Sequence, residues 1–228
     1  GTGNDFEIYH HASGTNNYID STLSTADFYV RPNKDFYVMN VTSGDVHIKS
    51  VKDGATELYY DNAKKLETIA TGVNITGGIR LGGNNAANEL DDYETGTWTC
   101  TVTPESGTIT LASDQNLLTY VKVGDLVHVQ GRVKLDSVSS ATGNYVTVGG
   151  FPFTNCGSIG ETSEKTFIMI QTHGVNLGGD GVVWVELTAS ASSGTIHRTI
   201  SNASWVYVDP DGVGGNTYIL FNGTYRSV

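Results

Sequence analysis

Long apolar runs, cysteine, proline and positive charge are all scarce in this chain, and each shortage closes off a class of protein. Nowhere among its 228 residues is there an apolar run of the roughly 20 positions that a membrane-crossing helix needs. No signal-peptide pattern opens it. Two cysteines, Cys100 and Cys156, are too few for a disulfide-stapled scaffold and sit in no metal or redox spacing. Whether they pair is left open. Only 13 Lys and Arg stand against 24 Asp and Glu, a net charge of −11, so phosphate backbones and anionic membranes are repelled. An anionic sugar would need a locally placed Lys or Arg, or a bridging cation.

Glycine is what the chain has instead. It counts 28 glycines against four prolines, with charged residues at 16%, the composition of many short strands joined by tight turns. A short phrase keeps restarting through the first third: Asp5-Phe6-Glu7-Ile8-Tyr9, Asp27-Phe28-Tyr29-Val30, Asp35-Phe36-Tyr37-Val38, Asp45-Val46-His47-Ile48 and Thr56-Glu57-Leu58-Tyr59-Tyr60. Turn residues such as Ser43-Gly44 and Asp53-Gly54 separate the copies. Each phrase is too short to build a core alone, so such repeats stabilise by stacking on neighbours or on copies of themselves. Because the chain opens at Gly1 inside a repeat phrase, a fragment of something longer is expected.

The Gly/Asn cluster from Gly77-Gly78 to Asn85 is the best boundary, and Ala86 to Tyr93 suggests one helical turn. Beyond Gly96 the pattern is period two almost throughout. Trp98, Cys100 and Val102 share one face; Val127, Val129, Val133 and Leu135 share another, opposite His128, Gln130, Arg132 and Lys134. Gly131 permits a bulge. Further strands are expected at 108–111, 117–123, 145–148, 166–171, 182–188, 195–200, 205–208 and 218–226. The polar connections 137–144, 172–181, 189–194 and 209–216 read as loops.

Several phrases, in this order and spacing, resemble one family. Residues 57–68 with Gly72-Val73-Asn74-Ile75-Thr76-Gly77 are similar to the shaft of bacteriophage tail fibre and tailspike proteins. Leu90 to Thr99, Tyr120 to Val127, Gly150-Phe151-Pro152-Phe153-Thr154 and Asn222 to Arg226 resemble the head that follows. Cys100 stands where that pattern expects proline. The resemblance implies an all-β homotrimer: an elongated repeat β stalk over residues 1–88, then a jelly-roll-like β-sandwich head over 89–228. It also implies a virion tail component, made in the host bacterial cytoplasm, that adsorbs to host cell-surface carbohydrate and joins other tail proteins through a preceding part of the polypeptide. No cofactor, metal, nucleic acid or membrane insertion is expected.

Flat rings pack against sugar C–H faces while neighbouring amides and carboxylates bind hydroxyls. The expected contacts are therefore Trp184, Trp205 and Tyr207, with His173, Asn176, Asp209 and Asp211 from adjoining loops. Core filling is the competing role for the rings, and an ordinary Pro-Asp-Gly turn the competing role for Asp209 and Asp211. Asp209-x-Asp211-Gly212 opens like a calcium loop but lacks the remaining ligands. Catalysis is not expected. Glycoside hydrolysis needs two carboxylates at a set separation, and Glu186 with Asp180 or Asp209 is the one pairing across strands that merits testing. Two alternatives remain: a purely structural fibre or trimerisation segment, and a glycan-degrading tailspike.

Overall fold

The computed structural model describes all residues except 1–5, 11–15, 22–24, 26, 84, 91, 157–164, 176–180, 201–203 and 228. The chain is all-β, and its contacts divide it into two units, Gly1–Gly77 and Gly78–Val228.

In the first unit, β1 (Phe6–His10) and β2 (Asn17–Ser21) form a hairpin. Residues 27–30 form no strand, and Phe28, Tyr29 and Val30 are exposed. An antiparallel meander follows: β3 (Phe36–Met39), β4 (Val46–Ser50), β5 (Thr56–Tyr60), β6 (Ala63–Ile69) and β7 (Gly72–Ile75). Asp61 and Asn62, both at positive φ (49° and 58°), make the two-residue turn between β5 and β6. That conformation matches strand twist and suits Asp and Asn.

Register gives this sheet two unlike faces. One carries Tyr37, Lys49, Glu57, Glu67 and Asn74 in a cross-strand row. Glu57 accepts from Tyr59 Oη at 2.6 Å and from Lys64 Nζ at 3.3 Å, with Lys49 Nζ at 3.4 Å. Lys64 also pairs with Glu67, so one ammonium offsets two carboxylates that would otherwise repel across the ladder. The Tyr59 hydrogen bond, helped by both lysines, holds the Glu57 carboxyl below its usual range. The other face carries Val38, Ile48, Leu58, Leu66 and Ile75, one aliphatic per strand. Val38 and Leu58 each stay 41% exposed and Ile75 37%. A sheet with one apolar face buries it against a second layer, and among the described residues this unit supplies none.

The second unit opens with β8 (Ile79–Arg80), a 3-10 turn at Ala86–Asn88 and β9 (Glu89–Leu90). Its remaining strands are β10 (Tyr93–Thr99), β11 (Thr101–Leu111), β12 (Leu117–Val123), β13 (Leu126–Gly149), β14 (Thr166–Val175), β15 (Val183–Leu187), β16 (Ser193–Arg198), β17 (Val206–Tyr207) and β18 (Val213–Arg226). These nine belong to one sheet. The long β13 pairs through its first half with β18 and through its second half with β16. Since β18, β14, β15 and β16 follow one another, the sheet closes into a small barrel. The two layers of the expected sandwich are thus opposite walls of one closed sheet.

Alternation fills the interior. Val127, Val129, Val133, Leu135, Ile168, Val185, Leu187, Ile196 and Ile219 are buried, as are Val146 and Val148. Trp98 stacks on Phe151 at 4.8 Å and meets Phe221 edge-on at 6.0 Å. Tyr225 Oη donates to the Phe153 carbonyl at 3.0 Å and accepts from the Phe153 N–H at 3.1 Å.

Several local expectations need correction. Gly131 makes no bulge: pairing of β13 with β18 runs unbroken from Leu126 to Lys134. Its role is close approach, since a Cβ there would sit 2.9 Å from Leu118 Cγ, on a backbone with φ 146°. Residues 137–144 are strand rather than loop, paired with β11 through irregular registers that absorb Gly107 and Ser140 at positive φ. The expected loops at 172–181, 189–194 and 209–216 are part strand, because β14 continues to Val175, β16 starts at Ser193 and β18 starts at Val213. Cys100 lies between β10 and β11, not within a strand; it is buried and free, and burial pushes its thiol up to about 12. It forms no disulfide with Cys156.

Candidate functional site

The aromatic residues singled out by alternation converge on the outside of the barrel. Core positions Val183, Val185 and Leu187 of β15 point inward, which turns Trp184 and Glu186 outward. On β16, Ile196 is buried in the core while Thr195 and His197 share the outer face. Register then sets Met169, Trp184, His197 and Tyr207 in one row across β14 to β17.

His197 is the hub. Its ring stacks on Trp184 at 5.7 Å with planes 11° apart, and lies 4.6 Å from Trp205 and 4.8 Å from Tyr207. Trp205 and Tyr207 meet edge-on at 5.9 Å. Tyr145 extends the belt beyond Tyr207 at 6.0 Å, and Phe167 extends it beyond Trp184 at 6.2 Å. Each such pair adds about 0.5–1.5 kcal/mol beyond area burial, so the belt is self-supporting. Trp205 is 48% and Tyr207 41% exposed, whereas His197 lies buried beneath them. Core filling therefore does not account for these two rings.

Polar groups border the belt. Glu186 pairs with Lys165, and its second oxygen is 3.9 Å from His197 Nε2. Thr195 Oγ1 is hydrogen-bonded to the same nitrogen at 2.7 Å. His197 Nδ1 and Trp184 Nε1 are buried without a hydrogen-bond partner among the described residues. Burial holds the His197 ring below its ordinary protonation range; Lys165 pushes the same way and Glu186 opposes. The Glu186 hydrogen bond raises Lys165.

The other expected contacts lie elsewhere or outside the description. His173 is on the outer face of β14, 6.2 Å from Tyr218. Asp209 and Asp211 are exposed around the 3-10 turn Pro210–Gly212, and no hydrogen bond, ion pair or ring contact among the described residues joins them to the belt. Asn176 and Asp180 fall outside the described residues. Of the acidic residues near the unit's start, Asp92 pairs with Lys122 and Glu94 accepts from Tyr120. Among the described residues no three His, Cys, Asp or Glu side chains form a metal-binding group, and no helix is long and apolar enough to cross a membrane.

His197, Lys165, Tyr145 and Phe167 were not legible as partners of the tryptophans. Thr195 and His197 flanking Ile196 announce an outer face, but only register places that face beside Trp184.

No protein-family model matches this chain, and no curated protein matches it. Among solved structures it is similar to the Dettilon tailspike protein (gp208), with 22% sequence identity and a TM-score of 0.49 over 59% of this chain. The match covers 24% of that protein, so this chain spans about a quarter of the tailspike's length.

Proposed function

We propose that this chain is the receptor-binding part of a bacteriophage tail fibre or tailspike, adsorbing without catalysis to host surface carbohydrate through the outer wall of its barrel. The observation that carries this reading is the position of Trp205 and Tyr207: large rings, half exposed, fixed from beneath by His197, whose own ring stacks on Trp184. Rigid amphipathic rings bind ligands at small entropic cost. The ordered phrases resembling phage shafts and heads supply the biological setting. In the proposed homotrimer three belts engage a repetitive surface together, so weak single sites add up through effective concentration. The non-enzymatic reading is favoured by Glu186, whose carboxylate is engaged by Lys165.

Trp205→Ala and Tyr207→Ala test this proposal in the full chain. Each should lower adsorption to host cells by roughly tenfold or more, the loss expected of an aromatic anchor, while circular dichroism stays unchanged. Unaltered adsorption by both folded variants overturns the site. Release of reducing ends from host polysaccharide, abolished by Glu186→Gln, overturns the non-catalytic reading in favour of a glycan-degrading tailspike.

A further inference from the structure

We propose that the open groove across β13, β18 and β14 is a second carbohydrate site, selective for sugars that carry a carboxylate. It rests on the carbohydrate reading above for the class of ligand, but not for its location. The groove encloses about 590 Å³ beside Gln130, Arg132, Gln171 and Asn222, with Met169 and Leu220 as its apolar floor. An adjoining hollow of about 440 Å³ shares Arg132 and reaches His173 and Tyr218.

Register builds this surface from three rows. Gln130 faces Asn222; Arg132, Leu220 and Gln171 align; Lys134, Tyr218 and His173 align next to them. The Arg132 guanidinium lies 5.0 Å over the Tyr218 ring and donates to Gln115 Oε1 at 3.1 Å. It has no carboxylate partner among the described residues, and neither has Lys134. No Asp or Glu occupies an outward position from Leu126 to Lys134, from Phe167 to His173, or from Tyr218 to Thr224. In a chain of net charge −11, such a patch stands out against its own protein.

Chemistry selects the ligand. A planar guanidinium fork matches a planar carboxylate in a bidentate pair. Three amide side chains offer both donors and acceptors, as vicinal hydroxyls require. Tyr218, Leu220 and Met169 give a sugar ring an apolar surface. A single fork, with Lys134 one row away, is matched by the single planar carboxylate of a uronate.

The test is a titration of the full ¹⁵N-labelled chain with tri-galacturonate and, separately, with its methyl ester, which removes the charge and caps one oxygen of each carboxylate. The acid should shift the Arg132 Nε–H and the side-chain amides of Gln130, Gln171 and Asn222. The ester, or Arg132→Gln against the acid, should bind roughly tenfold more weakly or worse, the loss of one charge-assisted pair. Trp205→Ala should leave this titration unchanged. Equal binding of acid and ester, shifts confined to the Trp184 and Trp205 indoles, or no shifts at all overturn the proposal. Adsorption lost in Trp205→Ala but no response to the acid leaves the ring belt standing and sinks the groove alone. A response to the acid with adsorption indifferent to Trp205 does the reverse.

Discussion

Replacing Leu58 probes the aliphatic row of the first unit, the feature that asks most plainly for a second copy. Leu58 keeps 41% of its surface in the isolated chain, flanked by Ile48 and Leu66. Burying a whole leucine side chain stabilises by about 1.5–3 kcal/mol, so covering the remaining two fifths contributes about 0.6–1.2 kcal/mol. Summed over three copies that is about 2–4 kcal/mol, or between one and three orders of magnitude in association at about 1.4 kcal/mol per tenfold. Leu58→Ala should move the dissociation midpoint up by such a factor in sedimentation velocity. Leu58→Asp adds the desolvation of a carboxylate, several kcal/mol per ion, and should abolish assembly while far-ultraviolet circular dichroism is retained. A wild-type chain that stays monomeric at micromolar concentration refutes the reasoning. So does a Leu58→Asp variant with unchanged oligomeric mass.

Three further outcomes follow from buried groups in the barrel. Tyr225→Phe removes both hydrogen bonds to the Phe153 backbone and should destabilise by about 1–3 kcal/mol, read as a lower urea midpoint at constant slope. In a Cys156→Ser background the Cys100 thiol, pushed up to about 12 by burial, should resist Ellman's reagent in the native protein and react only on unfolding; native labelling at a free-thiol rate counts against that burial. His197 is held below its ordinary value of 6.5, so the unfolded chain takes up a proton first as pH falls. Stability should therefore be highest above pH 6.5 and decline below it, by at most about 1.4 kcal/mol per pH unit. Between pH 7.5 and 5, His197→Gln should flatten that part of the urea-midpoint profile.

Much of the fold was legible because alternation reports inside and outside without knowledge of partners. The expected strand at 117–123 coincides with β12, and Thr56–Tyr60 coincides with β5. Faces held as well: Trp98, Cys100 and Val102 are buried, as are Val127, Val129, Val133 and Leu135. Register stayed hidden, because backbone hydrogen bonds are the same for any partner strand. Residues 137–144 carry turn composition, Ser139-Ser140 and Gly143-Asn144, yet bulged pairing with β11 keeps them in one strand with Leu126 and Gly149. Closure through Thr147 against Thr195 has no local signature at all. Trp184, Trp205 and Tyr207 were legible as candidates, but His197 at their centre was not, since one histidine in a strand means nothing until its neighbours are known. The carboxylate-free groove was invisible for the same reason: Arg132, Gln171 and Asn222 belong to three separate strands.

The two proposed binding surfaces both lie outside the barrel, and they share a strand. Val146, Val183, Ile196 and Ile219 leave only about 10 Å³ between them inside, too little for any ligand. On β14, Phe167 packs against Trp184 of the belt, while Gln171 and His173 border the groove. Met169 belongs to both, lining the groove and pairing in register with Trp184. Adjacent strands are about 4.8 Å apart, so a polymer held at one surface keeps its next residues close to the other. That makes coupling measurable. For an oligosaccharide too short to reach both, Trp205→Ala and Arg132→Gln should combine additively in free energy, each acting at its own site. For a long acidic polysaccharide the two sites act through effective concentration. Once either variant has reduced binding to a single site, the other should remove what remains, and the double-mutant cycle should depart from additivity. Additive losses with the polymer show that the two surfaces bind separate chains.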